Sequence, residues 1–197
     1  MSSGGPILEF GAGDGNFVER FLRDATEVEC VEPDPSNQAM LRTLVPRIAT
    51  DIMELPARRY PFAYTINVLE HIRDLDEYLL QLHRVLRPSG RLFVFVPAFN
   101  FLWTSLDDEV GHIQRFTRLS LITHLERAGF RIEQSYYFDS LGFFAAIGVR
   151  ILEKIGMFKF SPRTIGIYDR LVPISLMGDR LLSGVLGKNV IVIAHKA

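Results

Sequence analysis

A chain of 197 residues with 48% hydrophobic side chains is long enough to bury one substantial core, and its net charge of −1 gives no overall pull towards nucleic acid. A single cysteine, Cys30, excludes an internal disulfide and fits a reducing, cytoplasmic compartment. No uninterrupted apolar stretch reaches the ~18 residues of a membrane span, and residues 1–6 are small and uncharged, without a leader pattern.

In chain order, short β-rich runs alternate with segments of helical period. Ile7–Gly11 predicts a strand, followed by a helix over Asn16–Asp24 with Phe17, Phe21 and Leu22 on one face. Glu27–Glu32 is a second strand, ended by Pro33 and Pro35 and followed by a helix over Ser36–Leu44. Arg47–Ile52 is a third strand, and Phe62–Leu69 a fourth, nearly all apolar as for a strand covered on both faces. Asp74–Leu86 predicts an amphipathic helix with Leu75, Leu79, Leu82 and Leu86 inward, stopped by Pro88 and Gly90. Arg91–Val96 is a fifth strand, Leu119–Ala128 a helix ended by Gly129, Phe130–Phe138 a sixth strand, and the closing VIVIAHKA a last one. Strands and helices in this alternation predict a doubly wound α/β sheet, with ligands beyond the strand C-termini where strand order reverses. The least regular stretches are Phe99–Phe116 and the region beyond Leu141.

Gly11, Ala12, Gly13, Asp14 and Gly15 fall between the first strand and the first helix. Glycine there permits positive φ and lets a ligand approach the backbone without meeting a Cβ. Glu32, ending the second strand, is placed to accept both hydroxyls of a ribose, so the pair predicts a nucleoside site. The dinucleotide pattern G-x-G-x-x-G would need glycine at position 16, where Asn16 stands. The pattern is instead acid-x-G-x-G-x-G from Glu9, and with Asp14 it suits a ligand carrying an amino group and a positive charge.

At these residues the sequence resembles class I S-adenosylmethionine-dependent methyltransferases. LEFGAGDG is similar to their first motif, VECVEPD to the second and ATDIMELP to the segment after the third strand. TINVLEHIRDLDEYLLQLHRVLRPSGRLFVFVP is similar to their fourth-strand, helix and fifth-strand block. The resemblance covers roughly residues 6–138 and is greatest to the branch acting on small molecules and lipids. It implies a Rossmann-like, mostly parallel sheet with an antiparallel last strand, in a single domain over 1–197, and S-adenosyl-L-methionine as cofactor. By position it implies that Gly11, Ala12, Gly13 and Gly15 pack against the methionine part of the cofactor and that Glu9 and Asp14 lie near its amino group. Glu32 would take the ribose diol, with Pro33 or Asp34 flanking the adenine. Asp51 would bind the adenine amino group, or cap a turn; Ile52 would lie against the ring, or in the core. Asn67, with Val68 and Leu69, would line the methionine side, or satisfy a strand end.

Methyl transfer from a sulfonium needs mainly alignment and exclusion of water, with a base only where the acceptor must lose a proton. His71, in NVLEHI, and His112, in GHIQRFTRLSL, are the candidate catalytic residues. The second stretch resembles a Gly-His-x-x-Arg-Phe/Tyr segment found in a subset of these enzymes, so His112 and Arg115 are also candidates for the substrate site. Arg115 would suit an anionic group, and Thr117 would cap the following helix. Trp103 and Phe99–Phe101 wall an acceptor pocket or form core beneath the 99–116 loop. No metal site is expected, because His83, His124 and His195 are scattered and no His/Asp/Glu set has ligand spacing. Cys30 reads as inert packing.

Residues 141–197 carry eight Lys/Arg against three Asp/Glu, and 141–187 reads as an apolar, basic helical insertion before the last strand. It has three readings: peripheral membrane contact, a lid over the site, or a homodimer contact. The resemblance also implies a helical cover before the first strand; only six residues precede Ile7, so either the chain is a shortened form or the tail replaces that cover. The expected activity is methyl transfer to a small amphipathic acceptor (a lipid, quinone or sugar-lipid), with no nucleic-acid partner. The alternatives are a nicotinamide-dependent oxidoreductase and a non-catalytic cofactor-binding scaffold.

Overall fold

The computed structural model describes residues 4–18, 27–157 and 184–197. Seven strands form one sheet: β1 (Ile7–Phe10), β2 (Val28–Val31), β3 (Arg47–Ala49), β4 (Tyr60–Ile66), β5 (Leu86–Pro97), β6 (Phe130–Phe138) and β7 (Asn189–Lys196). Their spatial order is β3-β2-β1-β4-β5-β7-β6. β1 to β5 are mutually parallel, while β7 runs antiparallel to both β5 and β6. The mostly parallel sheet with an antiparallel last strand is therefore present as expected. Strand order reverses between β1, which pairs with β2, and β4, which pairs with β1 on its other side, and the ends of β1 and β4 make the crevice used by such sheets.

The helices are α1 (Pro35–Leu41), α2 (Leu75–Val85), α3 (Ser105–Glu109), α4 (Arg118–Arg127) and α5 (Ser140–Lys154). α2 forms because Leu75, Leu79, Leu82 and Val85 recur at helical spacing and bury against Leu8, Phe10, Leu92 and Val94 of the sheet. Its acidic first turn (Asp76, Glu77) and basic last turn (His83, Arg84) complement the helix dipole. α4 buries Leu121 and Leu125 on the same side. Its N-terminus is held by Thr117 and Ser120, each backbone N–H donating to the other's hydroxyl, a cap worth about 1 kcal/mol. A smaller cluster of Ala12, Val18, Val28, Cys30, Leu41 and Val45 covers the opposite face, so Cys30 is packing, as expected.

Several boundaries differ from the sequence reading. α2 ends at Val85, and Leu86 already pairs with Tyr60 as the first residue of β5; after the irregularity there, Arg91 pairs with Phe62. The predicted third and fourth strands each end in a one-turn 3-10 helix, Ile52–Glu54 and Leu69–His71. α3 lies in a stretch read as irregular, and α5 covers the start of the stretch read as a helical insertion, beginning at Ser140. Beyond Val18 the helix expected over Asn16–Asp24 lies outside the described residues, as does the 158–183 part of the tail. Among the described residues no helix is long and apolar enough to cross a membrane.

Candidate active site

β1 delivers the chain into the bend at Gly11–Gly15. Gly11 N–H donates to Val31 O at 2.9 Å, carrying the ladder one residue past the strand, and Gly15 N–H closes the turn on Ala12 O at 3.0 Å. Gly11 and Gly13 both have positive φ, +80° and +54°, but for different reasons. A Cβ on Gly11 would lie 2.3 Å from Val68 Cγ2, whereas one on Gly13 would meet nothing within 4 Å. Gly11 therefore lets the bend sit against the segment after β4, and Gly13 borders open space.

Glu32 reaches into this corner from the end of β2. Its Oε2 accepts the Gly13 N–H at 2.7 Å and its Oε1 the Asp34 N–H at 2.9 Å. Its own N–H donates to Ala49 O at 2.9 Å, fixing the strand end. Glu9, on the opposite face from Leu8 and Phe10, is buried and accepts the Tyr64 hydroxyl at 2.6 Å. Burial pushes its carboxyl up to about 7; the Tyr64 hydrogen bond opposes this and the neighbouring Glu32 charge adds to it. Asp14 is exposed and accepts from Asn16 Nδ2 at 2.6 Å. Pro33 is exposed, and Asp34 caps α1, accepting the Ser36 N–H at 2.7 Å.

On the β3 side, Asp51 caps the Ile52–Glu54 turn, accepting the Met53 N–H at 2.8 Å, and Ile52 is fully enclosed in the core. Asn67, exposed with φ +53°, ends β4 by donating its N–H to Phe95 O at 2.9 Å. Val68 packs on Gly11, and Leu69 is wholly core.

The 99–116 loop leaves β5 and returns to it: Phe99 N–H donates to Phe116 O at 2.8 Å and Phe116 N–H to Pro97 O at 3.0 Å. The closed loop folds back onto the Leu69–His71 turn. Ile113 N–H donates to Glu70 O at 3.0 Å, and Gln114 Nε2 donates to Leu69 O at 3.2 Å and Ile72 O at 3.0 Å. This docking brings His71 and His112 together, with ring centroids 4.9 Å apart. His112 Nδ1 lies 2.7 Å from Asp107 Oδ1, and His71 Nδ1 lies 3.1 Å from Gly111 O.

Asp107 organises the loop. It accepts Arg115 Nε at 2.7 Å on one oxygen, and Arg115 Nη2 at 2.9 Å and Thr104 N–H at 2.8 Å on the other. Burial raises its pKa, but the Arg115 and Thr104 hydrogen bonds outweigh that and hold it below the usual carboxylate value. Arg115 Nη1 donates to Ala98 O at 3.0 Å, so the guanidinium locks the loop to β5 rather than facing solvent. Trp103 donates to Asp108 Oδ1 at 2.9 Å and sets its ring edge-on to His112. A groove of about 440 Å³ lies alongside, lined by Phe99, Phe101, Arg115, Phe116, Ser120 and His124 among others; Trp103 and His112 are not part of its lining.

Glu70 and Asp107 are the residues that sequence reasoning missed. Glu70 is fully buried, and neither carboxylate oxygen has a hydrogen-bond partner among the other described residues. Burial pushes its carboxyl up to about 8, partly opposed by its own backbone N–H and then by the Arg115 charge. Its position inside the quoted Leu-Glu-His was the available signal.

Among known proteins, a methyltransferase domain family matches residues 2–135. A probable S-adenosylmethionine-dependent methyltransferase of Mycolicibacterium smegmatis is 28% identical over 158 residues, covering 77% of this chain and 60% of the relative. A ubiquinone biosynthesis O-methyltransferase of Bradyrhizobium sp. is 30% identical over 111 residues, covering 52% of this chain and 43% of that protein. The chain thus spans 60% or less of the length of these curated relatives. A crystal structure of a SAM-dependent methyltransferase from Archaeoglobus fulgidus superposes with a TM-score of 0.67 at 17% identity, covering 98% of this chain and 87% of that one. The sheet order, the glycine bend facing Glu32 and the match over two-thirds of the sequence lead to one conclusion: the chain belongs to the methyltransferase domain family.

Proposed function

We propose that this protein transfers the methyl group of S-adenosylmethionine to a small amphipathic acceptor of the lipid, quinone or sugar-lipid kind. The acceptor is received at the rim between Asn67 and the His71–His112 pair. The observation that carries the reading is the corner at Gly13: open space on one side, and on the other a buried carboxylate already within 2.7 Å of the loop backbone. A Cβ at position 13 would enter that space, which is the fit expected where a ligand lies against bare backbone. The relatives named above support the donor, and the O-methyltransferase among them supports an oxygen acceptor.

Each residue has a definite task in this reading. Glu32, oriented by the Gly13 and Asp34 amides, keeps lone pairs for a ribose diol, and Glu9 lies below the bend, where a bound ammonium would favour the carboxylate form that burial disfavours. When bound, the donor supplies a methyl already activated by the positive sulfur, whose bond electrons return to sulfur as the acceptor's lone pair takes the carbon. The protein therefore contributes alignment and dryness. Val68 and Gly11 hold the bend against the end of β4, and the docked 99–116 loop fixes the acceptor side.

Calorimetry with S-adenosylhomocysteine tests the assignment. Glu32→Gln and Glu32→Ala should each weaken binding at least tenfold, one lost charge-assisted hydrogen-bond pair being worth roughly 1.5–3 kcal/mol. NAD should give no heat. Unchanged affinity in both variants, or stabilisation by NAD alone, would overturn the reading.

A further inference from the structure

We propose that Glu70, His71 and His112 form a binding site for one first-row divalent cation at the acceptor rim. One ligand atom from each of the three lies within 4.8 Å of the others, although they come from a turn after β4 and from a separate loop. His112 Nε2 stands 3.7 Å from Glu70 Oε1, too long for a hydrogen bond and close to the roughly 3–3.5 Å between two ligands sharing a zinc-sized ion.

Two independent observations point to a ligand there. Glu70 is fully buried, yet neither of its oxygens accepts a hydrogen bond from another of the described residues, and the nearest imidazole nitrogen, His112 Nε2, stands 3.7 Å away. Without a cation a buried carboxyl in this setting keeps its proton, and a cation meeting it would displace that proton and hold the carboxylate form; the nearby Arg115 guanidinium is already engaged by Asp107 and Ala98. The second observation concerns the imidazoles. Each has its Nδ1 against an oxygen acceptor, Asp107 Oδ1 for His112 and Gly111 O for His71. That contact places the proton on Nδ1 and the lone pair on Nε2, the arrangement in which outer carboxylates and carbonyls orient metal-binding histidines. Neither Nε2 makes a hydrogen bond among the described residues.

The donor set selects the ion. Two imidazoles and one carboxylate suit zinc, manganese, iron(II) or cobalt over magnesium and calcium, which prefer oxygen cages. Three protein ligands, with His71 exposed, leave coordination positions open towards the rim. On the methyl-transfer reading, on which the role of the ion (though not its binding) rests, a hydroxyl on an open position would be polarised. Its proton would pass to solvent and its oxygen would accept the methyl carbon.

The test uses the whole chain, dialysed against a chelator and titrated with Zn²⁺ by calorimetry, with Mg²⁺ as comparison. One Zn²⁺ per chain should bind, at least tenfold more tightly than Mg²⁺. Affinity for Zn²⁺ should fall at least tenfold in His112→Ala, Glu70→Gln and His71→Ala, while affinity for S-adenosylhomocysteine stays within twofold. His71 is exposed, so His71→Ala decides the matter even if Glu70→Gln fails to fold. No Zn²⁺ uptake by the parent chain, or uptake unchanged in the folded variants and therefore held by the partly exposed pairs His124–Asp76 or His195–Glu133, would overturn the site. Loss of S-adenosylhomocysteine binding by the parent chain would count against the cofactor reading and leave the cation site standing.

Discussion

Gly11 and Gly13 stand two positions apart in one bend and answer to different demands. Both adopt positive φ, where a Cβ costs about 1–2 kcal/mol. At Gly11 the added carbon must also displace Val68, whose Cγ2 would be 2.3 Å away; at Gly13 it meets only open space. Gly11→Ala should therefore lower the thermal midpoint markedly. Gly13→Ala should stay folded, with a loss of about 1–2 kcal/mol, and bind S-adenosylhomocysteine at least tenfold more weakly. Paired melting curves and titrations separate the two, and equal stability losses would refute the distinction. The glycine bend and Glu32 were legible in the sequence because backbone freedom and a strand-end acid are local properties of residue type. Glu70 and Asp107 were not: a glutamate in a turn and an aspartate in an acidic stretch look solvated until the 99–116 loop closes over them. Arg115 was read as a candidate for an anionic substrate group, and in the fold the three hydrogen bonds of its guanidinium go to Asp107 and Ala98.

Among the elements, β2 and β4 are joined at the edge away from the site by a buried carboxylate. Glu29 accepts the Tyr60 hydroxyl at 2.6 Å and Arg59 Nε at 3.2 Å, pairs with a second Arg59 nitrogen, and has Arg47 Nε at 3.8 Å. Burial works to raise its pKa. The hydrogen bonds from Arg59 and Tyr60 and the two arginine charges prevail, leaving it below 4.5. A carboxyl with a depressed folded-state pKa adds stability above its unfolded value, and that contribution is lost as pH falls through the folded value. The parent protein should thus lose midpoint temperature below about pH 4.5. Glu29→Gln should start less stable at pH 7 and show a shallower acid limb. Acid limbs of equal steepness would show that this pair does not govern the strand edge. The element types were readable from hydrophobic period, as α2 shows with Leu75, Leu79 and Leu82. The α2–β5 junction was not, because Leu86 continues the apolar spacing of the helix while its backbone already pairs with Tyr60. Likewise α3 has four polar or acidic residues among its five, with Leu106 too little for an apolar stripe, and its Thr104–Asp107 capping box becomes visible only as geometry.

For the whole molecule, β7 is the strand on which the fold closes. It lies between β5 and β6, pairing with β5 over Asn189–His195 and with β6 as far as Lys196, and buries Val190, Val192 and Ala194 completely. Val192→Ala removes packing at the sheet centre and should cost about 1–3 kcal/mol. Trp103 is the single tryptophan, so its fluorescence reports the loop over the imidazoles while far-UV dichroism reports all elements. If the sheet and that loop form one cooperative unit, both probes should shift to lower urea together, with an unchanged denaturant slope. Separate transitions would mean that the loop docks and releases independently of the sheet.

The reversed direction of β7 also decides which side of the protein an attached handle would occupy. Pairing of Arg91 with His195 and of Pro97 with Asn189 sends the strand back from the ligand rim, and Lys196 anchors its far end on the His83 and Leu86 carbonyls. A fluorophore, bead or sensor surface coupled beyond Lys196 would then grip the molecule from behind, with the glycine bend and the histidine pair turned outward to whatever flows past.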